Sequence, residues 1–253
     1  MGPRHSRVSL AEKLTVQITP SRALLPLGGR CERMLTLYHH PVCPHSRFAR
    51  LVLREYGMPM RQIIEPVWER RRDFLILNPA ATLPVLVTED EVSVPGALII
   101  MEYLDEIYGR DLGEHRLLPH KTAERIEVRR LLNWFTYKFS EEVSGPLTGE
   151  HYKQYLPLEL ATGPRDSSVI RAALENVPYH LTYIGLLLAE REWLAGARLS
   201  YADLAAAAHL SIVPHFRPLP WPDDGVAKRW HERIQSRPAF QSMLSDGWKS
   251  IVR

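Results

Sequence analysis

Between residues 35 and 57 the chain switches its hydrophobic period from that of a strand to that of a helix. Leu35 and Leu37 alternate with Thr36 and Tyr38, as in a half-buried strand. Beyond the turn Cys43-Pro44-His45-Ser46, residues Phe48, Leu51, Val52 and Tyr56 recur at helical spacing, and Gly57 closes the segment. Arg61 to Ile64 reads as a second strand, parallel to the first because a helix separates them. The stretch VWERRRDFLILNP turns from polar to apolar and predicts a short helix that stops before Pro79. Leu83 to Val87 predicts a strand that opens on Pro84. An acidic turn at Glu89-Asp90-Glu91 leads to a partner at Val92 to Val94, and Pro95-Gly96 precedes a helix bearing Ile99, Ile100, Tyr103 and Leu104.

This order, βαβ followed by ββα, is a thioredoxin-like α/β arrangement, assigned to residues 34–110. Gly109 to Pro119 reads as a linker, and residues 119–253 carry almost no strand signal. Val128, Leu131, Leu132, Phe135 and Phe139 share one face of a helix beginning near Lys121. Gly163-Pro164 separates it from another helical stretch that ends near Trp193, which Pro178 is expected to kink or split. Ser200 and Asp203 have the spacing of a capping box ahead of an alanine-rich helix, lean enough to cross a tight core. Trp230 to Phe240 supplies the last helical elements. The fold class is therefore an α/β N-terminal domain followed by an all-α C-terminal domain.

Composition narrows the setting. Residues 1–33 hold six of the 32 Lys and Arg and two of the 29 acids, so the rest carries 26 basic against 27 acidic residues. A near-neutral body gives no electrostatic footprint for nucleic acid. The extension at 1–33 reads either as an Arg-containing, acid-poor targeting segment or as translation from an upstream start, with Met34 just before the first strand. In both readings it is expected to be loosely ordered. No apolar run approaches the length of a membrane span, so no membrane insertion is expected. Two cysteines, Cys31 and Cys43, do not make a disulfide framework, which suggests a cytoplasmic chain.

The candidate chemistry centres on Cys43. A thiol at a helix N-terminus meets free N–H groups and the positive end of the helix dipole, which favour the thiolate. Ser46 is placed either to hydrogen-bond that thiolate or to cap the first turn. His39, His40, Cys43 and His45 invite a metal reading, but adjacent strand residues point to opposite faces and the spacing fits no structural zinc pattern. No metal is expected.

The CPHS turn, LNPAATLPVLV (Leu77 to Val87), WLAGARLSYADLA (Trp193 to Ala205) and SRPAF (Ser236 to Phe240) together resemble the glutathione S-transferase superfamily over residues 35 to about 245. The resemblance implies a homodimer with a glutathione groove on the small domain, a cis Leu83-Pro84 turn and a second pocket against the helices. Trp134, Phe135 and Phe139 are candidates either for that pocket or for the core. Glutathione needs a thiol activator (Cys43 or Ser46), backbone pairing before the cis proline (Leu83, Pro84), and an acid–hydroxyl pair for its γ-glutamyl end. Where that pair is expected, this chain has Gly96-Ala97, with no side-chain donor or acceptor. A hydrogen bond to a charged group is worth roughly 1.5–3 kcal/mol, so losing two weakens affinity by about two to four decades.

HHPVCPHSRFARL, VWERRRDFLILNPA, RRLLNWF and SYADLAAAAHLS more closely resemble the GST-like, FtsZ-binding division proteins of alphaproteobacteria. That resemblance implies a partner role on FtsZ polymers at the division site rather than transferase chemistry, with no cofactor. A Cys43- or Ser46-dependent glutathione or thiol transferase is the alternative. Trp68, Arg70, Arg71 and Arg72 form a candidate partner patch, since Trp and Arg are enriched at interface hot spots and FtsZ-type partners are acidic. Arg125, Arg129 and Arg130 form a second basic face, with Glu124 and Glu127 at hand to neutralise it.

Overall fold

The computed structural model describes residues 34–156, 163–223, 225–244 and 246. The extension at 1–33, with its Cys31, and the terminus at 247–253 lie outside the described residues. β1 (Leu35–His39) alternates buried and half-buried positions, as its sequence requires. It pairs in parallel with β2 (Met60–Ile64), Leu37 opposite Gln62, after the crossover through α1 (Pro44–Glu55). On its other edge β1 runs antiparallel to β3 (Val85–Val87), which pairs antiparallel with β4 (Ser93–Pro95). The sheet order is β2-β1-β3-β4. Between β2 and β3 lie a single 3-10 turn at Val67–Glu69 and the short helix α2 (Arg72–Leu77).

β3 is shorter than the expected strand because Pro84, joined to Leu83 by a cis peptide bond, has no N–H to give the ladder. The β4–α3 turn is held by Gly96 N–H donating to the Pro84 carbonyl at 2.8 Å. Gly96 sits at φ +93, a conformation side-chained residues avoid, although a Cβ there would meet only an ordinary contact. α3 (Ala97–Tyr108) then packs beside α1.

The helical half begins with α4 (Thr122–Asn133), whose apolar face continues through two π-helical turns, Trp134–Lys138 and Ser140–Ser144, into α5 (Gly145–Tyr152). Val128, Leu131, Leu132, Phe135 and Phe139 are all buried, so the expected stripe holds across the wider turns. α6 (Ser167–Leu188) runs unbroken through Pro178, against the expectation of a split. Proline removes the donor that would bond the carbonyl four residues earlier. That carbonyl, on Leu174, instead accepts from Arg217 Nη2 at 2.9 Å.

α7 (Tyr201–Leu210) is the axis of the molecule: every residue in it is buried. Its alanines let α1 and α4 approach closely on either side. Asp203 fixes its start, accepting the Ser200 N–H at 3.0 Å, the Leu194 N–H at 2.9 Å and the Trp230 indole N–H at 3.0 Å. Tyr56 Oη donates to Tyr201 Oη at 2.8 Å and accepts the Leu117 N–H at 3.1 Å, tying α1, the linker and α7 together. α8 (Val226–Gln235) and α9 (Pro238–Leu244) close the fold, with α9 against α1. One hydrophobic core, from Leu35 to Met243, runs through both halves without a break.

Candidate functional site

A cleft of about 430 Å³ opens between the two halves. The sheet side contributes His45 from the first turn of α1, Leu83 before the cis proline, and Gly96 and Ala97 at the start of α3. The helical side contributes Thr136, Tyr137, Ser140 and Glu141, all from the two π-helical turns. A π turn inserts an extra residue per turn and re-aims the side chains near it. Periodicity alone predicts ordinary helix here, which is why these four residues were not among the sequence candidates. Trp134, Phe135 and Phe139 do not line the cleft. The two phenylalanines are core, and Trp134 packs on Tyr183 and donates from its indole to His180 Nδ1 at 3.2 Å.

Cys43 is the N-cap of α1 but its side chain caps nothing. Its Sγ lies 4.0 Å from the Leu83 carbonyl. The expectation of a lowered thiol pKa is corrected: burial pushes the thiol above its ordinary value. Hydrogen bonding from Ser46 and the His45 backbone, with the nearby Arg47 guanidinium, offsets this only in part. A helix start favours a thiolate only where water or a counter-charge also reaches it. Ser46 is fully buried, and its Oγ accepts the His40 N–H at 3.3 Å, so it is held inside the turn. Arg47 is itself buried and spent on neutral acceptors, Pro41 O at 2.6 Å and Ser211 Oγ at 2.7 Å; desolvation lowers it to about 10.

The imidazoles around the turn are held neutral by burial, His39 at about 3 and His40 at about 4. His40 Nδ1 is 3.0 Å from Tyr152 Oη, and its ring meets Trp68 edge-on. His45 packs edge-on against the buried His209, whose Nδ1 is 2.9 Å from Ser144 Oγ.

At the start of α3, Gly96 and Ala97 offer the cleft backbone alone, and α3 has no side-chain cap. Among the described residues Glu141 is the only charged one on the lining, so the carboxylate of a γ-glutamyl end meets no cationic side chain there.

The basic candidates separate in space. Trp68 is half-buried and occupied, packed on Tyr152 and stacked on Tyr155 across the two halves. Arg71 is bonded through both Nε and Nη2 to the fully buried Glu65 carboxylate. Arg70 and Arg72 are exposed. On α4 the expected neutralisation holds for Arg130, which pairs with Glu127, and is corrected for Arg125 and Arg129. Arg125 is half-buried and reaches Asp105 at 3.4 Å, and Arg129 pairs with Glu102 of α3 at 2.9 Å. Glu127 instead holds Arg130 and Arg191, and Glu124 holds Lys121. Helical neighbours were legible from spacing; partners on another helix were not.

Protein-family models for the glutathione S-transferase N-terminal and C-terminal domains match residues 37–114 and 154–238. FtsZ-localized protein A of Caulobacter vibrioides is 40% identical over 220 residues, covering 86% of this chain and 93% of the relative. Among solved structures, a glutathione S-transferase from Sinorhizobium meliloti superposes with a TM-score of 0.82 at 43% identity, covering 87% of this chain and 95% of that one. FzlA from C. crescentus superposes with a TM-score of 0.77 at 39% identity, again covering 87% and 95%.

Proposed function

The chain belongs to the glutathione S-transferase family, and from that premise we propose that it is an FtsZ-binding division protein that uses the fold as a scaffold, without transferase activity. The observation that carries this reading is the start of α3, where Gly96 and Ala97 stand in place of the γ-glutamyl acid–hydroxyl pair. The raised Cys43 thiol and the buried Ser46 favour the same conclusion, because neither supplies a ready activator. The likeness to FtsZ-localized protein A over most of both chains supports the choice of partner and a place at the division site. No helix among the described residues is long and apolar enough to cross a membrane.

Arg70 and Arg72 are the proposed electrostatic contacts, since Trp68 and Arg71 already serve the fold. The test is co-sedimentation with FtsZ polymers. Wild type is expected in the pellet, Arg70→Glu with Arg72→Glu in the supernatant, and Cys43→Ala unchanged. Retention on immobilised glutathione with turnover of an electrophile would refute the scaffold reading. It would restore the alternative, a glutathione S-transferase or thiol transferase working through Cys43 or Ser46, which draws its support from the position of both residues at the start of α1.

A further inference from the structure

The sheet has two edges, and they are finished differently. β4 is three residues long and ends on Pro95, which has no N–H to offer a neighbour. β2 is five residues long, holds no proline and pairs with β1 in unbroken register from Met60 to Ile64. One hydrogen bond just past its end fixes which of its groups face outward. Glu65 N–H donates to the His39 carbonyl at 2.9 Å. In a parallel pair alternate residues turn N–H and C=O to the neighbour, so Arg61 and Ile63 also face β1. Met60, Gln62 and Ile64 then point theirs away from the sheet. Among the described residues nothing bonds these outward groups.

The side chains distinguish the two faces of that edge. Met60 and Ile64 lie on the face of Leu35 and Leu37, and Ile64 is 51% exposed, an apolar side chain left beside unpaired backbone. Arg61 and Ile63 lie on the other face with Tyr38, whose ring packs on Phe74 of α2. Ile63 is half-buried there and Arg61 is exposed. Arg61 has no ion pair or hydrogen bond among the described residues, and neither have Arg70 and Arg72 just beyond the strand. The acids between them serve Arg71: Glu65 is bonded to it, and Glu69 and Asp73 act on the same guanidinium. A cation on an edge strand discourages pairing with a second copy, whose Arg61 would return to the same face. It attracts a strand that carries acids.

Resting on the FtsZ-binding reading, we propose that β2 is the docking edge, where an extended segment of FtsZ adds along Met60–Ile64 as a further strand. The segment alternates apolar and acidic residues. Its apolar side chains cover Met60 and Ile64, and its acids meet Arg61 on the face that leads to Arg70 and Arg72. Backbone pairing supplies the affinity, and the alternating side chains select the segment.

The full chain is followed by hydrogen exchange, resolved to single amides, with and without FtsZ polymers, alongside co-sedimentation. The amides of Gln62 and Ile64 are expected to slow on binding, while those of Arg61 and Ile63, already bonded to β1, change little. Gln62→Pro removes only an outward N–H, so the melt should stay in place while FtsZ binding weakens about tenfold. Gln62→Ala keeps that N–H and should bind as wild type, and Arg61→Glu should weaken binding by a similar tenfold. Should Gln62→Pro fail to fold, the exchange pattern of the wild type decides. Failure of wild type to pellet with FtsZ refutes the FtsZ reading and this proposal with it. Wild type that pellets while Gln62 and Ile64 exchange as freely as before overturns the edge alone, as does a folded Gln62→Pro that pellets equally well. Slow exchange of these amides in the free chain, with a lower sedimentation coefficient for Gln62→Pro, overturns it too, because a second copy then occupies the edge.

Discussion

Cys43 shows how little a residue's place in a motif says about its reactivity. A cysteine at a helix start looks activated in sequence, yet burial around the sulfur outweighs the hydrogen bonds from Ser46 and His45 and the Arg47 charge combined. In a Cys31→Ser background, alkylation of Cys43 should be slower at pH 8 than that of free cysteine. Its rate should still be climbing above the pH where free cysteine has levelled off. A faster reaction than free cysteine would return the thiol to the list of working nucleophiles. The turn itself was legible in the residues: Pro44, the apolar spacing and Gly57 fix strand, turn and helix locally. How far the sulfur is shielded was not, because Leu83 lies forty positions away. The same limit hid the cleft's helical wall. Thr136, Tyr137, Ser140 and Glu141 reach it through π turns that no hydrophobic period announces.

At the scale of elements, α6 shows a local defect repaired from a distance. Pro178 breaks the helical ladder, and Arg217 takes up the Leu174 carbonyl that it strands. Arg217→Met should cost about 1–2 kcal/mol in urea unfolding. Pro178→Ala restores a backbone donor, so Arg217→Met in that background should cost measurably less. The double-mutant cycle is expected to give a coupling of about 1 kcal/mol. Strict additivity would mean that the guanidinium does something else. Sequence reasoning expected Pro178 to kink or split the helix and missed the repair that keeps it whole, because a proline's own neighbourhood says nothing of what will pack across it. The capping box at Ser200 and Asp203 was legible since both halves of it lie within one turn.

For the whole molecule, two properties emerge that no single element shows. One is its stock of neutral imidazoles: His39 near 3, and His40, His151 and His231 near 4, all depressed first by burial. Their ordinary value is 6.5. Above that pH both the folded and unfolded chains hold them neutral, and the stabilisation is fully present. As pH falls from about 6.5 toward 4, the unfolded chain takes up protons that the folded chain refuses. Each such proton removes about 1.4 kcal/mol per pH unit. The urea midpoint should therefore drop steeply between pH 7 and pH 5, and a flat profile would contradict the burial of these rings. The other property is a set of exposed apolar side chains: Ile99 and Ile107 on α3, Ile126 on α4 and Tyr137 beyond it are each more than half exposed. A homodimer, as the family resemblance implies, is expected to cover Ile99 and Ile126. Wild type should sediment as a dimer, and Ile99→Glu with Ile126→Glu as a folded monomer.

The complete burial of α7 sets where this protein can tolerate change. Ten consecutive positions are buried, so a larger side chain must displace a neighbour such as α1 or α4. In a library of single substitutions α7 would stand out as an unbroken block of intolerance. Acceptable variation would gather at exposed positions such as Arg70 and Arg72. New specificities in this chain are therefore to be sought on its exposed surface, with the central helix left untouched.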